Sequence, residues 1–294
     1  MGLNLAMALR LGRVSNLPTV WTNVLAGVVL SQAAFTLGGV VLLIVALSLF
    51  YVAGMYFNDA FDAEYDAKTR PTRPIPSGAV TRRAVFIAGG GMLALAFVLL
   101  AWAGFDAPLG QGPRLGGLLA AVALAGAIVV YDAWHKGNPI SPVVMGLCRL
   151  LVYVTAALTL TNAPAAGVYV ASLVALAYLI GLTYAAKQED LKKVGSLWPL
   201  IFLAAPLVYG VPVALRGGVG LVAYVALAAV IAYALWLMTR PGPKAIGKVV
   251  GLLIAGICLL DALFIAGAGQ TLWAALAILG FGATLAAQRF IPGT

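Results

Sequence analysis

GGVVLLIVALSLFYVAGMYFNDAFDAEYDAKTRPTRPIPSG, residues 38–78, is two kinds of sequence joined at Asn58. Gly38 to Phe57 contains no charged side chain, and a helix of that length crosses roughly 30 Å of hydrocarbon. The second half gathers Asp59, Asp62, Glu64 and Asp66, four of the nine acidic residues of the chain, and then Lys68, Arg70 and Arg73. An uncharged spanning run that empties into a charge cluster reads as a membrane helix ending at a polar site.

The rest of the chain has the same apolar texture. It is 294 residues long, 63% hydrophobic and 9% charged, with a mean hydropathy of +1.04. Those values belong to polytopic membrane proteins and lie outside the globular range. Breaking the sequence at proline, glycine and charge clusters leaves apolar segments near residues 17–34, 38–62, 82–104, 115–134, 139–160, 166–187, 197–215, 219–238, 247–266 and 270–287. The expectation is an all-α polytopic protein of nine to ten transmembrane helices, forming a single domain over residues 1–294. The opening MGLNLAMALRLGRVSNLP lacks a short apolar core with a small-residue cleavage site, so no signal peptide is expected. Cys148 and Cys258 both fall inside apolar runs and read as buried free thiols.

The basic residues orient these helices, because short cytoplasmic loops carry the excess of lysine and arginine. With both termini and the charge cluster placed in the cytoplasm, Arg13, Arg70, Arg73, Lys136, Lys187 and most other cations fall on the inner side. The outer side keeps Arg114 and Arg216. This is the pattern of a multi-pass protein of a bacterial-type inner membrane. The net charge of +9 is then a topology signal, and nucleic-acid binding is not expected. His135 is the only histidine, so no zinc site is expected, and the absence of GxxxxGK[ST] argues against an ATP-driven pump.

Asn58, Asp62 and Asp66 follow an i, i+4, i+8 spacing, which puts them on one helix face, with Asp59 about 100° away. Two readings are open. The acids cap a helix at the membrane surface and pair with Arg70 and Arg73, or they surround a divalent cation, because clustered carboxylates repel unless positive charge separates them. Carboxylate and amide oxygens suit Mg²⁺, which shares its shell with phosphate oxygens, and arginines suit the phosphate itself. A second patch, YAAKQEDLKKVGS at 184–196, has Glu189 and Asp190 beside Lys187; it reads as a solvated loop or as the opposite wall of the same site. Arg149 is a cation inside an apolar segment, which marks a functional position by default; it either holds an acidic acceptor group or pairs with a buried acid. Asp261 lies in another apolar segment and is expected to make a packing hydrogen bond. Tyr51, Tyr56, Tyr131, Tyr153 and Tyr184 are candidates to shield a carbocation, beside the plainer reading of packing.

The run Asn58-Asp59-x-x-Asp62-x-x-x-Asp66 followed by Arg70-Pro71-x-Arg73-Pro74-Ile75-Pro76-Ser77-Gly78 resembles the first signature of the UbiA superfamily of intramembrane prenyltransferases. GRVSNLPTVWTNVLAG, the lysine-bearing loop WHKGNP and TYAAKQED agree with it in outline and are similar to a divergent UbiA-like branch. The resemblance implies a ring of helices around a central cavity and Mg²⁺-dependent transfer of an isoprenoid chain from an allylic diphosphate to an aromatic or other small hydrophobic acceptor. It implies Asn58, Asp62, Asp66, Glu189 and Asp190 as metal ligands, and Asp62, Asp66 and Arg70 as catalytic. It implies Arg70, Arg73 and Lys136 as diphosphate partners with Asp59 in support, and the reading of the residues themselves adds Arg149, Tyr153, Tyr184 and Lys187 as candidate substrate-binding residues. The family's second motif has two aspartates four apart, whereas Ala186 stands four before Asp190 and Lys193 four after Glu189. A scaffold that binds or carries an isoprenoid lipid without catalysis is therefore kept as the alternative.

Overall fold

The computed structural model describes residues 4–105, 114–187, 198–238 and 243–293. Twelve α-helices are found there, with no strand among the described residues. They are α1 (Leu5–Leu11), α2 (Leu17–Ser31), α3 (Leu37–Phe61), α4 (Ala63–Thr69), α5 (Arg82–Phe105), α6 (Leu115–Trp134), α7 (Ser141–Leu160), α8 (Ala166–Lys187), α9 (Ala205–Ala214), α10 (Gly218–Met238), α11 (Pro243–Gly267) and α12 (Thr271–Ala287). Each of the ten apolar segments contains one of them. Seven described helices are long and apolar enough to cross a bilayer: α3, α5, α6, α7, α8, α10 and the Ile246–Gly267 part of α11. The protein is thus an integral, multi-pass, all-helical membrane protein. Hydrocarbon leaves no other choice to such runs, because only a helix satisfies every backbone N–H and C=O within one segment.

The charge cluster follows the longest of these spans. The 25 residues of α3 extend roughly 37 Å at 1.5 Å per residue, enough to carry Asn58 and Asp59 past the hydrocarbon edge. Thr36 starts the helix by accepting a hydrogen bond from the Gly39 amide at 2.9 Å. Although the helix is interrupted at Asp62, the four-residue hydrogen-bond step continues through it. Asp62 N–H donates to Asn58 O at 3.0 Å, Asp66 N–H to Asp62 O at 2.8 Å and Arg70 N–H to Asp66 O at 2.7 Å. Pro71, Pro74 and Pro76 then bar further helix. The chain curls through Ser77 N–H to Arg73 O and Ala79 N–H to Pro74 O, closing at Gly78, whose φ of +76° is strained for any side chain. That turn carries Arg73 back to the acids.

Two apolar cores flank the middle of the molecule. One joins α2, α3, α5, α6 and α7 around Leu43, Leu47, Phe50 and Leu124; the other joins α8, α10 and α11 around Tyr178, Leu227, Leu253 and Phe264. The spanning part of α11 is 78% buried, against 22% for α5, so α11 is an interior helix. Gly27 lets α2 lie against α7, since a Cβ there would stand 2.9 Å from Tyr153 O. Trp102, Leu119, Leu173, Val208 and Leu279 are exposed, as side chains facing lipid tails would be.

Candidate active site

Between the two cores, at the end of α3 that bears the charge cluster, lies a cavity of about 260 Å³. Its walls come from widely separated parts of the chain: Arg13 and Asn16 before α2, Tyr51 and Asn58 from α3, Asp62 just after it, Arg70 and Arg73 from the proline-rich turn, His135 and Lys136 after α6, Arg149 from α7, Thr183 and Lys187 from α8, Ile254 from α11, and Gly293 beyond α12. Six cationic side chains and one carboxylate, Asp62, are among the described lining residues. So strong an excess of positive charge at the mouth of an apolar bundle is suited to a polyanion.

A narrower apolar chamber of about 80 Å³ opens beside it among α2, α3, α6 and α7, lined by Val20, Phe50, Leu124, Ile128, Cys148 and Val152. Tyr51, Met55, Tyr131, Met145 and Arg149 border both spaces. An anionic head and an apolar tail therefore have adjoining places.

The acids are balanced by side-chain cations. Asp62 Oδ2 lies 3.0 Å from Lys136 Nζ, and Lys136 also sits over the Tyr65 ring at 3.7 Å. Asp66, 1% exposed, pairs with Arg73 Nη1 at 2.7 Å, while Asp59 lies 3.4 Å from both Arg13 and Arg73. Along the Asn58, Asp62, Asp66 stripe the negative charge is met by Arg13, Arg73 and Lys136, as in the first of the two readings of these acids, and Asp59 and Asp66 turn into the arginines and are not among the residues that line the cavity. His135 stacks on Tyr131 at 5.0 Å. Burial lowers its imidazole from the ordinary value even with Asp62 3.5 Å away, leaving it neutral at pH 7.

Asn58 donates its amide nitrogen to Asp132 Oδ1 at 3.1 Å, which leaves the amide oxygen for another partner. Among the described residues no three His, Cys, Asp or Glu stand together as a metal-holding group; Glu189 and Asp190 lie outside those residues. The donors that are present fit a hard divalent ion nonetheless: they are oxygens, and Asp66 Oδ1 is buried without a hydrogen bond. Lys187 reaches Asn138 O at 2.5 Å and lines the cavity. Tyr153 and Tyr184 do not line it. Tyr153 is fully buried with its hydroxyl given to Asp261, and Tyr184 packs against the α8–α11 core.

Arg13, Asn16 and Asp132 are the site residues that sequence reasoning passed over. Arg13 has φ +42°, a left-handed conformation that costs an ordinary residue about 1–3 kcal/mol, and its guanidinium reaches Asp59 and Met55 Sδ. The GRVSNLP run was the available signal. Asn16 hydrogen-bonds Tyr51 OH at 3.2 Å and Gly293 O at 2.9 Å, and accepts from Gln288 Nε2 at 3.0 Å. The residues after α12 thereby close one side of the cavity.

A helical membrane bundle whose cationic cavity adjoins an apolar chamber is the architecture of an integral membrane protein suited to take up an amphiphilic anion. Residues 17–250 match the UbiA prenyltransferase family, and the chain belongs to that family and is a prenyltransferase. It is 30% identical over 215 residues to the digeranylgeranylglyceryl phosphate synthase of Methanopyrus kandleri, covering 71% of each protein. Its fold is similar to a solved structure of digeranylgeranylglyceryl phosphate synthase, with a TM-score of 0.62 and 22% identity over 90% of this chain and 98% of that one. It is also similar to a UbiA homologue from Archaeoglobus fulgidus bound to GPP and Mg²⁺, with a TM-score of 0.53 and 15% identity over 96% and 99% of the two chains.

Proposed function

We propose that this protein transfers an isoprenoid chain from an allylic diphosphate to an aromatic or other small acceptor with the help of Mg²⁺. One observation carries the reading: among the described residues, six cations against one carboxylate line a cavity that adjoins an apolar chamber. The diphosphate lies among Arg13, Arg70, Arg73, Lys136 and Lys187, and the isoprenoid tail enters the chamber. Arg73 and Lys136, now on Asp66 and Asp62, are the cations that a diphosphate would draw away. Asn58, Asp62 and Asp66, with Glu189 and Asp190 from the second patch, would then hold the metal. Mg²⁺, present with GPP in the Archaeoglobus fulgidus homologue, would supply positive charge to the diphosphate when held by these residues.

In the reaction the allylic C1–O bond breaks and its electron pair leaves on the diphosphate. The arginines stabilise that growing charge, the usual largest source of catalysis. Tyr51 and Tyr131 border both spaces and face the cation left at C1, worth roughly 0.5–2 kcal/mol each. The acceptor's nucleophilic atom bonds to C1 and loses its proton. Aromatic acids and glyceryl phosphate lipids are both candidate acceptors, the second because the Methanopyrus kandleri relative is named for such a product. The chain acts as one domain over residues 1–294, nine or ten helices crossing the bilayer in a ring, with the site and both termini on the cytoplasmic side as the basic residues suggest.

The test is incubation of the protein in nanodiscs with Mg²⁺, allylic diphosphates of several lengths and both acceptor classes, following diphosphate release and prenylated product. Asp62→Asn is expected to lower release at least about 100-fold, and the lipid-facing Val225→Ala to leave it unchanged. Binding of the diphosphates without release from any of them would favour the carrier reading.

A further inference from the structure

Asp261 lies beyond the residues that match the family, deep in α11 and fully buried. A carboxyl group in such a place needs hydrogen-bond partners to offset the loss of water, and Asp261 has three. Thr22 Oγ1 and Asn23 Nδ2 each donate at 2.6 Å, and the Tyr153 hydroxyl donates to the other oxygen. The consequence lies in the Asn23 amide. The nitrogen end of the amide donates to the Asp261 carboxylate and, at 2.9 Å, to the Tyr153 hydroxyl, which Asp261 itself orients by accepting its proton; the carbonyl end is turned the other way, where it takes Arg149 Nη1 at 2.5 Å. Gly27, one turn along α2, permits the close approach of α2 to α7 on which this geometry depends.

Arg149 borders both the cationic cavity and the apolar chamber. None of the ion pairs among the described residues includes it, and Asn23 is its hydrogen-bonding partner there. A carboxylate placed directly on Arg149 would neutralise it and occupy the guanidinium fork. With the acid one residue behind, the fork is held in place while its other N–H groups stay available to a ligand anion. The junction of the two spaces is where a diphosphate meets its isoprenoid chain, so a guanidinium there faces the oxygen that leaves C1.

We infer that Asp261, acting through Asn23, is a positioning residue that sets the Arg149 guanidinium at the oxygen leaving the allylic carbon. This rests on the proposed allylic diphosphate reaction. In Asp261→Asn one of the two acceptor oxygens becomes an N–H donor, so the donations from Thr22, Asn23 and Tyr153 cannot all be kept; the Asn23 amide loses its fixed hold and the guanidinium moves. Because the contact strengthens as the bond breaks, kcat for diphosphate release is expected to fall about 10- to 100-fold with KM for the diphosphate little changed.

The experiment is a double-mutant cycle of Asp261→Asn and Arg149→Met in nanodiscs, with Thr22→Val as the control that removes a different hydrogen bond from the same carboxylate. Unfolding midpoint and Mg²⁺-dependent binding of geranylgeranyl S-thiolodiphosphate are measured on every variant. The inference is supported if Asp261→Asn lowers kcat, Thr22→Val lowers the midpoint comparably without lowering kcat, and Asp261→Asn adds nothing in the Arg149→Met background. Asn23→Ala replaces Asp261→Asn if that variant does not fold. Equal kinetics for Asp261→Asn and Thr22→Val, or losses that add in the double variant, overturn the inference while the reaction stands. A wild-type protein that neither binds the thiolodiphosphate nor releases diphosphate overturns the reaction and the inference with it.

Discussion

Arg73→Ala tests the electrostatic arrangement of the site without reference to any substrate. Arg73 bridges Asp66 at 2.7 Å and Asp59 at 3.4 Å, and the two carboxylates are 1% and 9% exposed. Removing it leaves buried negative charge with Arg13 as the nearest remaining partner of Asp59. Breaking a buried pair from one side costs roughly 3–5 kcal/mol; Arg73 is itself 20% exposed, which argues for the lower end, about 3 kcal/mol. At roughly 2–4 °C per kcal/mol for a domain of this size, the unfolding midpoint in nanodiscs should drop about 6–12 °C. If the vacated oxygens suit a hard divalent ion, millimolar Mg²⁺ should recover more of the midpoint in the variant than it adds to the wild type, since the wild-type carboxylates already hold a guanidinium. The assay is thermal unfolding of both proteins with Mg²⁺ and with EDTA. A fall smaller than about 2 °C, or an equal response to Mg²⁺ in both, would refute the reasoning, and with it the view of these acids as a cation-holding cluster.

Two further substitutions probe the packing that shapes the cavity. Gly27→Val would place its Cβ 2.9 Å from Tyr153 O, forcing α2 off α7; overpacking of this kind costs about 1–3 kcal/mol, so a lowered unfolding midpoint is expected. Gly293→Ala would bring a methyl within 2.7 Å of Asn16 Oδ1, displacing the segment after α12 from the cavity edge. The expected outcome is a larger share of isoprenoid alcohol, the product of water capture, relative to prenylated acceptor, read by chromatography of the products.

Much of the site was legible because it is local. Asn58, Asp62, Arg70 and Arg73 belong to one helix end and the turn after it, so their spacing alone brought them together, and all four line the cavity. Asp59 and Asp66 share that helix end but face arginines, one of them Arg13, which is 46 residues away in sequence from Asp59. No periodicity foretells such a pairing. Tyr153, one of the tyrosines that the sequence offers as a carbocation shield, turns its hydroxyl to Asp261, 108 residues on.

What the sequence by itself determined is the solvent and the local chemistry. Apolar runs of spanning length must be helices in hydrocarbon, because an unpaired backbone polar group there costs several kcal/mol, and acids with arginines at one helix end are readable from spacing alone. Tertiary structure decided which charges face the cavity and which face each other, since that depends on helices brought together across as many as 277 residues, as Asn16 is with Gly293. Hydrogen-bond direction, which turns the Asn23 amide toward Arg149, exists only once Asp261 has been packed behind it.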